Sequence, residues 1–182
     1  MIMIQETETI RGILAGDIES FRLLLERYER PVVRMIRNIT ADGESCEDIA
    51  QDVFLTAYKR LASFDPARSG FSTWLFTIAR NKSLNAMKKK RPLVMADIPE
   101  AVGSNDPCDS FAQKEFFEKL DSHLKALPSR QRRAFVMAEF ERLSYEQIAQ
   151  IEGARLGTIK SRINRAKTRL RAALEDFKGN GL

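Results

Sequence analysis

The stretch GTIKSRINRAKTRLRAAL, Gly157 to Leu174, carries six basic residues and no Asp or Glu in eighteen positions. Lys160, Arg162, Arg165, Lys167, Arg169 and Arg171 repel one another on a solvated helix, and a polyanion relieves that repulsion. The residue types suit a duplex in particular. Arg and Asn present paired groups that match base edges in the major groove, whereas Lys and Ser hold phosphates. With Ile159 and Ile163 turned inward, Thr158, Lys160, Ser161, Arg162, Asn164 and Arg165 face out, and Arg155 in the preceding turn joins them as a candidate contact.

Such a helix needs a partner to present it. Just upstream, LSYEQIAQ begins with Ser144 and Gln147 in capping-box spacing, and IEGARL supplies a tight turn containing Gly153. Ile148 and Ala149 then pack on Ile159 and Ile163. Two short helices, a Gly-containing turn and a basic second helix are the pattern of a helix-turn-helix. Further helices are predicted from about Phe111 to Leu127, ended by Pro128, and through RQRRAFVMAEF.

The N-terminal half is helical by the same periodicity. Phe21, Leu24, Leu25, Tyr28, Val32, Met35, Ile36 and Ile39 recur at three and four, with Asp17 as the expected N-cap and Pro31 as an expected kink or break. A second helix from about Cys46 to Ala62 places Ile49, Val53, Ala57 and Leu61 on one face and Glu47, Asp48, Gln51 and Asp52 on the other. After SFDPARSG, Ser72 is the expected cap of a third helix that ends before Pro92. That helix finishes in Arg80, Lys82, Lys88, Lys89, Lys90 and Arg91, and no acid occurs from Pro66 to Ala96. Aromatic residues beside such a basic track, here Phe64, Phe71, Trp74 and Phe76, suit unstacked single-stranded bases as well as a core.

Charge divides the chain. Residues 1–91 hold 15 basic against 12 acidic residues, residues 92–113 none against four, and residues 114–182 15 against nine. The middle segment also carries three of the six prolines and lacks apolar periodicity, so it reads as a flexible acidic linker. The expected fold is therefore all-α, with two small helical domains at 1–91 and 114–182. At full extension the linker reaches about 75 Å, but as a relaxed coil only about 26 Å. Hence the free chain is expected to be compact, with its two domains packed together or covered by an inhibitor.

Several classes are set aside. The opening MIMIQETETI lacks a basic region followed by a long apolar core, so neither export nor membrane insertion is expected. Cys46, Cys108 and the single His123 cannot build a zinc site or disulfide framework, so no metal or cofactor is expected and a reducing cytoplasm is the default. Without a Gly-rich phosphate loop or a nucleophile with a recognisable base, the chain is not expected to be an enzyme.

At this point two stretches resemble a known family. EDIAQDVFLTAYKRLASFDPARSGFSTWLFTIARN is similar to the second conserved region of bacterial RNA polymerase sigma factors, and LPSRQRRAFVMAEFERLSYEQIAQIEGARLGTIKSRINRAKTRLR to the fourth. Only these two regions and a short linker are evident, as in the extracytoplasmic-function group. The resemblance implies that Asp48, Gln51, Asp52 and Phe54 dock on core polymerase. It implies that Phe64, Phe71, Trp74 and Asn81 open the minus-ten element and capture a flipped base, with Lys82, Lys88 and Arg91 as further contacts there. Lys160, Ser161, Arg162, Asn164 and Arg165 match the helix that reads the minus-thirty-five element. The implied partners are core polymerase, promoter DNA in duplex and single-stranded form, and an anti-sigma factor. The chain departs from the family at Glu141-Arg142, where Glu-Gly is usual, and at Gln147, where Glu is usual. A helix-turn-helix regulator with a sensing or dimerising N-terminal half is the alternative, but it leaves the acidic helix, the aromatic-basic helix and the linker without a purpose.

Overall fold

The computed structural model describes residues 2–40, 45–90 and 111–178. Eight α-helices occur there and no strand: α1 Ile2–Leu14, α2 Ser20–Thr40, α3 Cys46–Arg60, α4 Phe71–Lys90, α5 Phe111–Ala126, α6 Ser129–Glu139, α7 Tyr145–Glu152 and α8 Leu156–Lys178. A single 3-10 turn, Leu61–Ser63, follows α3. The all-α expectation holds. Residues 92–110 of the expected linker lie outside the described residues, as do Cys108 and Arg91, while 111–113 already belong to α5.

α2, α3 and α4 form the N-terminal group around Val32, Met35, Ile36, Ile39, Val53, Ala57, Leu75 and Phe76, all buried. α1, which the sequence reading left unassigned, packs along α2. It buries Ile10 and Ile13, and it presents Glu6 to the Tyr28 hydroxyl, which donates to it, and to Arg27 at 3.2 Å.

Two local expectations are corrected and one is refined. Pro31 neither breaks nor ends a helix: α2 runs from Ser20 to Thr40 through it. Proline removes one backbone donor, and the unbroken apolar stripe on both sides outweighs that loss. Asp17 does cap, but by accepting from the Ser20 amide at 3.3 Å and its hydroxyl, so the helix starts three residues later than the cap. Ser72 is not a cap, because α4 begins at Phe71 and the Trp74 amide already donates to the Gly70 carbonyl.

The C-terminal group is α5 to α8. Its core is Ala134, Met137, Leu143, Ile148, Ile151, Ile159 and Ile163, with Leu124, Leu127, Ala166 and Leu170 in a smaller cluster where α5 meets α8. The two groups share one apolar cluster, through α6 on α2 and α7 on α4. Arg34 of α2 pairs with Glu141 at 2.8 Å, and Gln150 of α7 donates to the Arg68 carbonyl at 3.5 Å. The two groups are therefore packed against each other, as the compact expectation requires.

Candidate nucleic-acid interface

The helix-turn-helix is set by its termini. Ser144 Oγ accepts from the Gln147 amide at 3.2 Å, and Gln147 Oε1 accepts from the Ser144 amide at 2.8 Å, which closes the capping box. Gln therefore performs the role of the more usual Glu. At the other end Gly153 adopts φ +60°, the left-handed conformation that glycine tolerates, and the Ala154 amide returns to the Ala149 carbonyl at 3.0 Å. The chain then enters α8 at an angle that buries Ile159 and Ile163 against Ile148 and Ile151, with Ala149 half-buried beside them.

Six of the seven candidate duplex contacts lie in solvent: Arg155, Thr158, Lys160, Ser161, Asn164 and Arg165 are all exposed. They line the outer face at the start of α8. Arg162 differs from them. Its Nη1 lies 3.5 Å from Glu152 Oε2 and its side chain is half-buried, so in this packing it pairs with Glu152.

Glu152 is a centre of charge that the sequence reading missed. Its side chain is 1% exposed and accepts from Arg133 Nε and Nη2, both at 2.9 Å, in a bidentate pair. Arg80 Nε of α4 stands 3.4 Å away on the other side. Burial pushes this carboxyl up, but the Arg133 hydrogen bonds and the charges of Arg133, Arg80 and Arg162 outweigh it and hold Glu152 below the usual carboxylate value. A lone Glu before the turn gave no sign of this, because its partners are 10, 19 and 72 positions away.

Arg142 carries the departure at Glu141-Arg142. It adopts φ 55°, the left-handed region in which the more usual glycine is at ease. The helix end survives: the Leu143 amide returns to the Met137 carbonyl at 3.1 Å and Phe140 to Val136 at 2.9 Å.

The second candidate surface lies on the N-terminal group. Phe64 stacks edge-on against Phe71 with centroids 5.7 Å apart and tilts against Trp74 at 5.5 Å; Phe71 meets Tyr28 at 5.5 Å. Phe71 is buried and belongs to the core. Phe64 and Trp74 stay half-exposed at the edge of the cluster. Phe76 is core. Along α4, Asn81 and Lys88 are exposed, and Lys82 is half-buried and paired with Asp52 of α3 at 3.4 Å.

The third surface is α3. Asp48, Gln51 and Asp52 face solvent, whereas Phe54 is buried against the core. The reading also missed Leu55, 51% exposed, which lines a shallow depression with Asp48, Gln51 and Asp52. Its signal was legible: an apolar residue at helical spacing from Asp48 and Asp52 lies on the face that the acidic residues occupy.

Both halves match known sequence families. Sigma-70 region 2 matches residues 24–92, and sigma-70 region 4 matches residues 117–170. The chain is 30% identical to the RNA polymerase sigma-H factor of Pseudomonas aeruginosa over 94% of this chain and 94% of that protein. It is 29% identical to the ECF RNA polymerase sigma factor SigW of Bacillus subtilis over 92% and 96% of the two. The solved structure of the sigma factor RpoE of Bartonella quintana in complex with the anti-sigma factor NepR superposes with a TM-score of 0.72 at 26% identity, over 86% of this chain and 98% of that one. The chain belongs to the extracytoplasmic-function sigma factors of bacterial RNA polymerase. Its activity is that of the class, the recognition of promoters for transcription initiation.

Proposed function

We propose that the chain divides promoter recognition between its two helical groups. The exposed start of α8 reads the minus-thirty-five element as duplex, with Arg165 and Asn164 on base edges and Lys160 and Ser161 on phosphates. Phe64, Trp74 and Asn81 take an unstacked base of the minus-ten element, and Lys82, Lys88 and Arg91 follow its backbone. Asp48, Gln51, Asp52 and Leu55 dock on core polymerase. The observation that carries this reading is the six exposed polar and basic side chains gathered at the start of α8 beside an apolar seam.

Energetics assigns strand opening to the assembly. Each duplex step holds about 1.4 kcal/mol, so opening roughly ten pairs costs on the order of 14 kcal/mol. A captured base returns about 1 to 3 kcal/mol by stacking. Two captured bases fall far short, so polymerase contacts supply the remainder. Docking also has to separate the packed groups, since boxes roughly 20 base pairs apart at about 3.4 Å each lie some 68 Å from one another. The site of action is the cytoplasm, where the polymerase is, and no chemistry is catalysed by this chain itself.

An anti-sigma factor is proposed as a further partner, since the Bartonella relative was solved with one. The test of the whole reading is reconstitution. Mixed with core polymerase, the chain should co-elute and yield discrete run-off transcripts from a genomic fragment pool. Co-elution without any discrete transcript would reject it.

A further inference from the structure

Arg80 spans the contact between the two helical groups. Its Nη2 donates to the main-chain carbonyl of Glu152 at 3.4 Å, and its Nε lies 3.4 Å from Glu152 Oε1. Glu152 is the last residue of α7, so its carbonyl lacks a helical donor and sits at the negative end of the helix dipole. A guanidinium brought in from α4 therefore serves α7 as a C-terminal cap. The third arm of the same group reaches Asn81: Arg80 Nη1 donates to Asn81 Oδ1 at 3.0 Å.

That last bond has a cost for recognition. An asparagine reads a base edge by donating from its amide nitrogen and accepting at its oxygen together. With Oδ1 engaged by Arg80, one of its two lone pairs is taken and an incoming base must displace or share that guanidinium, although Asn81 itself is exposed. The arrangement is also releasable. Arg133 alone satisfies Glu152 through two bonds of 2.9 Å, and Arg162 stands by at 3.5 Å, so withdrawing Arg80 orphans no buried charge.

We propose that Arg80 is a latch: while α7 packs on α4 it occupies the acceptor of Asn81, and separation of the two helical groups frees Asn81 to read an unstacked base. Arg80 is thus a positioning residue, acting on DNA through Asn81. The inference rests on the proposed role of Asn81 at the opened strand. It couples that role to the packing of the helix-turn-helix.

The test uses the full chain without polymerase. Arg34→Glu faces Glu141 with a like charge and opens the packing from a point distant from Arg80, Asn81 and Glu152; Arg34 is exposed enough to tolerate the change. Small-angle scattering should show an expanded particle. Affinity for a mixed-sequence single-stranded oligonucleotide, read by anisotropy, should rise about five-fold if the wild type is open about a fifth of the time. Adding Asn81→Ala should remove the gain, and the swap R34E/E141R should restore both the compact particle and the weaker binding. Arg80→Ala serves as the second opening variant and should also bind more tightly despite the lost cation. An expanded particle with unchanged affinity, or a gain that survives Asn81→Ala, overturns the latch. So does a chain that neither variant expands. Because every readout omits polymerase, a failure here leaves promoter-directed transcription untouched, and a failure of transcription leaves this result standing.

Discussion

Arg133 and Glu152 form a bidentate pair, both bonds 2.9 Å, that ties α6 to the last residue of α7 inside the helix-turn-helix. The pair makes stability depend on pH in a definite direction. Because Glu152 is held below its usual value of 4.5, the unfolded chain takes up the proton first on acidification. The stabilisation is complete above 4.5 and is lost as pH falls through the lower folded value. Glu141 has the opposite sign. Burial pushes it up against the pull of Arg34, so its cost to the fold is present above that raised value and fades on acidification. Glu152→Gln is expected to remove most of the acid-side loss and to lower neutral stability by about 3 to 5 kcal/mol. Urea midpoints taken across the acid range measure both.

The two arginines of the basic helix should part company. Arg165→Ala is expected to cost about 1 to 3 kcal/mol of discrimination at one upstream base pair and little stability. Arg162→Ala should do the reverse, since its side chain pairs with Glu152. Holoenzyme binding to a panel of single-base promoter variants, paired with thermal melts, separates them. Equal loss of discrimination from both would return Arg162 to the reading face.

Backbone conformation predicts a contrasting pair of substitutions. Arg142 sits at φ 55° and Gly153 at φ 60°. A side chain in that region costs roughly 1 to 2 kcal/mol, of which glycine's freedom in the unfolded chain returns about 0.4 to 1. Arg142→Gly should therefore stabilise by about 0.5 to 1 kcal/mol, and Gly153→Ala should destabilise by a similar amount. Denaturant midpoints at constant m-value decide the matter.

On α3, Asp52→Arg should weaken core polymerase binding about ten-fold or more and leave base preference alone. Its pair with Lys82 is solvent-exposed and contributes about 0 to 1 kcal/mol, so the fold should survive. Leu55→Ala is expected to act the same way through lost apolar contact. Unchanged polymerase affinity in both variants would remove this face from the docking assignment.

The local features of the fold were legible in the sequence, and the long-range ones were not. Ser144 with Gln147, Gly153, and the inward Ile148, Ile159 and Ile163 all act within a few residues of one another, where spacing is informative. Phe54 and Phe71 show the limit. A phenylalanine beside acidic or basic residues fits an exposed contact and a core anchor equally, and only the packing of Leu75, Tyr28 and their neighbours decides for burial. α1 was missed because its stretch is rich in Glu and Thr and because the partner that makes Glu6 acceptable in the interior, Tyr28, lies 22 positions away. The Glu152 cluster was missed for the same reason.

Permanganate reactivity of thymines, measured on a selected promoter together with a footprint, tests the division of labour most directly. Core polymerase with this chain should protect two separated segments and render the downstream one reactive, and Phe64→Ala with Trp74→Ala should abolish reactivity while sparing the upstream protection. A single protected duplex site, produced by the chain without polymerase and lacking any reactive thymine, would contradict it.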